Sequence, residues 1–154
     1  MSKPIEDTRL VQIGFLVKDI EKTKKQFARF FDVPEPETVN SGEYEITKTE
    51  YRGNPAPKAK CYMTFFYFGD LQMELIQPNE EPSLWREHLE TFGEGIHHIS
   101  FQVKGMQKTI NACEDWGMKL LQKGEYRRGN GRYAFMDALD DLKVVVELLE
   151  SDDK

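Results

Sequence analysis

Two carboxylates stand where an apolar strand would not ordinarily carry charge. "QMELIQ" sets Glu74 between Met73 and Leu75, and "VVVELLE" sets Glu147 between Val146 and Leu148. A buried carboxylate is costly unless a cation or hydrogen-bond donors meet it. A third group is an imidazole. "GEGIHHISFQV", Gly93 to Val103, places His97 and His98 side by side at the head of a strand-like run. Adjacent strand residues point to opposite faces, so a flat strand presents only one of them to a common target. Two carboxylates, one imidazole and one amide oxygen would suit a divalent metal ion, whose charge their two negative charges would neutralise.

An internal repeat says which histidine to choose and where the amide comes from. "VQIGFLVKDIEKT" (Val11–Thr23) aligns without a gap on "HHISFQVKGMQKT" (His97–Thr109). Ile13, Phe15, Val17, Lys18, Lys22 and Thr23 meet Ile99, Phe101, Val103, Lys104, Lys108 and Thr109. The period of two puts Val11, Ile13, Phe15 and Val17 on a helix-packing face, and Gln12, Gly14 and Leu16 on the other. In the second copy Ile99, Phe101 and Val103 pack, and His98, Ser100 and Gln102 face away. His98 thus takes the position of Gln12. His97 goes with the packing face or the strand's ragged end. If the halves close about a pseudo-twofold axis, Gln12, Glu74, His98 and Glu147 converge on one point. A lone strand Glu more often faces solvent, and a lone His is more often structural. Four positions paired by a repeat outweigh those simpler readings.

The elements that must carry these residues follow the same repeat. Helices are expected over about Ile20–Phe31 and Met106–Trp116, the first with Ile20, Thr23, Phe27 and Phe30 or Phe31 on its apolar face. "DVPEP" stops the first and Gly117 the second. Strands are expected over about Tyr44–Tyr51, Lys60–Phe68 and Leu71–Gln77, then Lys119–Lys123, Arg132–Met136 and Val144–Leu149. "FGDLQ", "RRGNGR" and "DALDD" read as turns. Each half is therefore β-α-β-β-β, and the class is α+β. The expected organisation is a first module over 8–78, a linker helix over 79–94 with Pro82 near its start, and a second module over 95–150.

Bulk properties narrow the partners. The chain has 154 residues, 39% of them hydrophobic, which suits one domain built of two small halves. No signal peptide and no membrane-spanning run is legible, so a cytoplasmic protein is expected. A net charge of −6 argues against nucleic acid and anionic membranes as partners. Cys61 and Cys113 read as buried thiols rather than a disulfide. The acidic end, Glu150 to Lys154, is expected to fray.

With these features the chain resembles the vicinal oxygen chelate superfamily, the group of glyoxalase I, methylmalonyl-CoA epimerase, extradiol dioxygenases and bleomycin-resistance proteins. The resemblance spans about Arg9 to Glu150. It implies tandem βαβββ modules forming an open U-shaped β-barrel, with a metal held by the first and last strands of each module. "GEGIHHISFQV", "MELIQP" behind "GD", and "VVVELLE" are most similar to the epimerases. The ligand set carried over is Gln12, Glu74, His98 and Glu147. The first ligand is usually His in epimerases, and Gln is a choice seen among glyoxalase I enzymes. No acid stands in "KCYMTFFYF", where some epimerases carry a catalytic carboxylate.

The resemblance implies one divalent ion (Zn, Ni, Co, Mn or Mg) and a proton-transfer isomerase acting next to a carbonyl or thioester. Glu147 is the first candidate base and Glu74 its pseudo-symmetric partner. A lactoylglutathione lyase of the glyoxalase I kind and a metal-free binding or resistance protein are the rivals. The implied substrate is an acyl-CoA thioester or a glutathione hemithioacetal, and a homodimer is expected. Arg127, Arg128 and Arg132 together with Arg52, Lys58 and Lys60 could bind the phosphates of an acyl-CoA, although such residues more often belong to ordinary solvated turns. Phe65–Phe68 and Trp85 could wall a cavity. Tyr133 and Met136 could face either the cavity or the helices. His88, in a polar helix, is expected to be exposed.

Overall fold

The computed structural model describes residues 3–153. The first half holds β1 (Gln12–Leu16), α1 (Ile20–Phe31), β2 (Val39–Asn40), α2 (Tyr44–Thr47), β3 (Glu50–Tyr51), β4 (Asn54–Pro55), β5 (Cys61–Phe68) and β6 (Leu71–Pro78). After α3 (Leu84–Phe92), the second holds β7 (Gly95–Gln102), α4 (Met106–Asp115), β8 (Leu120–Glu125), β9 (Gly131–Met136), α5 (Leu139–Leu142) and β10 (Val145–Ser151). Local chemistry marks the helix ends. The Asp19 carboxylate accepts the Lys22 amide at the start of α1, and Ser83 accepts the Arg86 amide at the start of α3.

Among the described residues, ten strands form one sheet, in the order β2-β5-β6-β1-β7-β10-β9-β8-β3-β4. The sheet curls into a half-barrel of α+β class. β1 and β7 lie antiparallel at its centre, and each has a parallel partner on its outer side, β6 and β10. This arrangement repeats the sequence repeat in space. Glu74 pairs with Gly14, and Glu147 pairs with Ser100, the residue that aligns with Gly14.

Three apolar clusters follow from the alternation. Phe15, Phe66, Met73 and Leu75 pack beneath α1 with Ile20 and Ala28. Ile99, Phe101, Ala134, Met136 and Leu148 pack beneath α4 with Ile110 and Cys113. The concave side buries Leu16, Cys61, Ile76, Phe135 and Val145 against Leu84, Trp85 and Leu89 of α3. The linker helix therefore plugs the barrel rather than merely joining its halves.

Several expectations are corrected. Tyr44–Tyr51 is not one strand. It makes the single turn α2 and then the two-residue β3, which crosses to the other half and pairs with β8, Glu50 opposite Lys123 and Tyr51 opposite Gln122. "DALDD" includes the helical turn α5. Of the two alternatives at the end of α1, Phe30 is 80% exposed and Phe31 is the one that stacks on Phe27, while Lys24 joins Ile20 and Ala28 in the buried stripe. Lys24 is accommodated by Thr38 and Glu21, which both meet its ammonium. The acidic end is tied down as far as Asp153. Glu150 accepts the Gly105 amide and meets Arg132, the Asp152 amide reaches Asn130 O, and Asp153 meets the Asn130 side chain. Lys154 lies outside the described residues.

Candidate metal centre

The pair His97–His98 is bent into the barrel by a β-bulge. Along β1 and β7, Gly14 faces His98 and the next residue, Phe15, faces Ile96, so His97 is an extra residue with no partner of its own. The bulge breaks the alternation that the sequence implies. His97 does not join the helix-packing face. Both imidazoles are 0% exposed, and both lie 5.2 Å, ring centre to ring centre, from Phe135. Their Nδ1 atoms are 3.0 Å apart. His88 is also buried, against Phe92 and His97, where an exposed residue was expected. The polar flanks of its helix hid that face.

Glycine at position 14 makes room for this arrangement. A Cβ there would lie 2.0 Å from His98 Cε1. The His98 ring thus rests flush on the backbone of β1, with Nε2 aimed at the two acids. Nε2 lies 3.4 Å from Glu74 Oε1 and 3.3 Å from Glu147 Oε1. It lies 2.7 Å from Gln12 Oε1. One ligand atom each from Glu74, His98 and Glu147 falls within a 4.8 Å span, close enough for all three to hold one ion. The four residues singled out by the repeat are brought together.

Two neighbours missed by sequence reasoning aim this group. Gln72 accepts a hydrogen bond from the Gln12 amide nitrogen, and its own amide donates to the Tyr67 hydroxyl at 2.9 Å. That turns Gln12 Oε1 toward His98. Ser100 Oγ lies 2.7 Å from Glu147 Oε1 and 3.0 Å from Gln12 Oε1, so its single proton has two acceptors and restrains both. Gln72 was legible as the residue two before Glu74 on the same strand face. Ser100 was legible as the residue two after His98.

The electrostatics describe a site short of positive charge. Burial raises the Glu74 carboxyl above its usual range, with Glu147 adding to the rise and the His98 hydrogen bond opposing it. Burial alone would lower His98, yet the Glu147 charge and the hydrogen bonds that His98 donates to both acids push it up to about 9. Burial and the neighbouring His98 hold His97 well below its usual value, hence neutral. A proton on His98 therefore does what a cation between the acids would do. The donor set of two carboxylates, one imidazole nitrogen and one amide oxygen fits a divalent ion of the first transition row or Mg²⁺.

The acids open onto a cavity of about 370 Å³. Gln12, Glu74 and Glu147 reach its wall, and Met63, Ile76, Trp85 and Phe135 supply apolar surface. Phe65 and Tyr133 also face the cavity, whereas Phe66 and Met136 belong to the helix-side clusters. Tyr67 and Phe68 are exposed rather than walling it. Of the basic residues, Arg132 is consumed by Glu125, Glu150 and Asp152. Arg52 pairs with Glu87, and Lys60 with Glu43. Arg127 is exposed, lines the cavity mouth, and also lines an adjoining outer groove. Cys61 and Cys113 are free and buried. Among the described residues no helix is long and apolar enough to cross a membrane.

Comparison with known proteins bears on the fold and the family. An uncharacterized protein of Bacillus subtilis (strain 168), YqjC, is 32% identical over 92 residues, 59% of this chain and 66% of that protein, just under two thirds of its length. A hypothetical protein from Bacillus halodurans C-125 superposes with a TM-score of 0.67 at 20% identity, over 95% of this chain and 96% of its own. Methylmalonyl-CoA epimerase from Mycobacterium tuberculosis gives 0.63 at 18% identity, over 98% and 93% of the two chains. A variant of the Streptomyces coelicolor epimerase in complex with 2-nitronate-propionyl-CoA gives 0.66 at 22%, over 95% and 99%. At these identities the structural likeness speaks for the fold alone. The family model of the glyoxalase/bleomycin resistance protein/dioxygenase superfamily matches residues 11–136, most of the chain, and the protein belongs to that superfamily.

Proposed function

We propose that this protein is a divalent-metal-dependent isomerase that moves a proton on a carbon next to a carbonyl or thioester, in the manner of methylmalonyl-CoA epimerase. The observation that carries the proposal is the placement of Glu74 and Glu147. They come from matching strands, flank one imidazole at near-equal distances, and reach the same cavity. Gln12, Glu74, His98 and Glu147 would hold the ion. When bound, it would supply Lewis-acid stabilisation to the oxygen beside the carbon that loses its proton.

The chain's own residues supply the rest. Glu147 is the first candidate to take the proton, and Glu74, on the pseudo-symmetric side, would return one to the opposite face. Ser100 restrains the Glu147 carboxylate, so its reach is limited to the cavity side. The apolar wall around Trp85 and Phe135 keeps bulk water from the reacting carbon. Arg127, exposed at the mouth with Arg128 beside it in the turn, is suited to a phosphate of an acyl-CoA. Arg132 is not, because its guanidinium is already bonded to three carboxylates. Structural neighbours that hold 2-nitronate-propionyl-CoA support the acyl-CoA class.

A second reading rests on Gln12. Its amide oxygen, turned into the cluster by Gln72, resembles the ligand set of glyoxalase I, where the same proton transfer acts on a glutathione hemithioacetal. The discriminating experiment incubates the metal-loaded protein with methylmalonyl-CoA in D₂O and follows deuterium at the carbon between the two carbonyls. Exchange that disappears in Glu147→Gln supports the epimerase reading. No exchange, with turnover of the methylglyoxal–glutathione adduct, favours the lyase.

A further inference from the structure

The bulged histidine is neither one of the four proposed ligands nor a proposed base. His97 is 0% exposed, touches neither the cavity nor the acids, and breaks the regular pairing of the two central strands. Its Nε2 is buried without a hydrogen-bond partner. A core residue chosen for stability alone would avoid that loss, since an apolar side chain leaves nothing unsatisfied. One contact is well formed: His97 Nδ1 stands 3.0 Å from His98 Nδ1.

The protons on that contact can be assigned by elimination. Two N–H groups cannot face each other at 3.0 Å, and neither can two lone pairs, so one Nδ1 donates and the other accepts. His98 Nε2 points into the group of acids, and as a metal ligand it must present its lone pair there. A neutral imidazole with a free Nε2 carries its hydrogen on Nδ1. The donor is then His98 and the acceptor is His97.

The geometry points to His97 as the positioning residue of this metal site: its Nδ1 accepts the His98 Nδ1 hydrogen and so holds His98 in the tautomer that offers Nε2 to the ion. This rests on the metal-binding reading above. Metal-bound histidines commonly lean on a carboxylate or a backbone carbonyl for this purpose. Here a neutral ring serves, and it adds no further negative charge to a buried site that already holds two acids. The bulge is what brings it within reach. Without the extra residue His97 would point to the helix side of the sheet.

The test compares two substitutions of similar size and branching. Asparagine places an acceptor oxygen close to where His97 has Nδ1, whereas leucine places a methyl group there. Zn²⁺ affinity is measured by competition with a chromophoric chelator for the wild type, His97→Asn and His97→Leu, with circular dichroism and thermal melts as the check on folding. A loss of about 10- to 100-fold in His97→Leu, with His97→Asn close to wild type, is expected. Equal affinity in His97→Leu and the wild type would overturn the assignment, as would His97→Asn binding as weakly as His97→Leu. Should leucine prevent folding, the wild type itself is decisive. Long-range ¹H–¹⁵N spectra of the Zn²⁺-loaded protein should show hydrogens on His98 Nδ1 and His97 Nε2. A hydrogen on His97 Nδ1 would refute the proposal. A wild type that binds no Zn²⁺ would remove the metal reading itself, an outcome distinct from binding that is indifferent to His97.

Discussion

Gly14 and His98 occupy one space between them: the position that a Cβ would take on Gly14 lies 2.0 Å from His98 Cε1. The imidazole can lie over β1 only because that residue has no side chain. Gly14 does not adopt a positive φ, so its requirement is close approach and not backbone freedom. Gly14→Ala should therefore swing His98 away from the acids. The expected result is at least about a tenfold loss of divalent-metal affinity, measured by chelator competition, with the strands still formed by circular dichroism. Unchanged affinity would mean that His98 does not use this position when it binds an ion.

Ser100 offers a gentler perturbation of the same site. Its hydroxyl is shared between Glu147 and Gln12, and it is 0% exposed. Ser100→Ala removes a donor that limits the motion of the Glu147 carboxylate. Metal affinity should fall by about tenfold, and proton exchange on the substrate should fall with it. Ser100→Thr keeps the hydroxyl and should retain more of both, provided the added methyl is accommodated. Equal loss in the two variants would assign Ser100 a packing role instead.

The pH dependence has a definite sign. His98 is raised from an ordinary value of 6.5 to about 9 in the folded chain. The stability contributed by its charge is therefore complete below about pH 6.5 and is lost as pH rises through about 9. The melting temperature of the chelator-treated protein should fall across that window. An ion displaces that proton, so the gain in melting temperature on adding Zn²⁺ should grow over the same interval. Thermal melts with and without Zn²⁺ check both trends. Parallel curves would show that His98 is not the group that yields to the ion.

Much of the site was legible because it is duplicated. Glu74 and Glu147 were each unremarkable alone, and the repeat made them a pair. The six matches between Val11–Thr23 and His97–Thr109 fixed which residues of the two central strands share a face, and α1 runs over the span that periodicity indicates. What escaped was irregular. A bulge inserts one residue and has no periodic signature, so His97 was left between the packing face and a ragged strand end, and neither describes its place in the bulge. The segment from Tyr44 to Tyr51 was assigned to its own half, yet its short strand adds to the edge of the other, an interaction that only closure of the barrel creates. Likewise Arg132 read as a solvated turn residue that could also meet a phosphate, because its three acidic partners become its neighbours only once β8, β9 and β10 pair.

Binding of a divalent ion by Gln12, Glu74, His98 and Glu147 underlies each of these predictions. Its most direct test is elemental analysis of the protein purified without chelator and again after dialysis against Zn²⁺, Ni²⁺ or Co²⁺, beside Glu147→Gln and His98→Ala. About one ion per chain is expected in the wild type, with a large loss in both variants. A wild type that stays metal-free under every condition, or variants that keep the full complement, would contradict it.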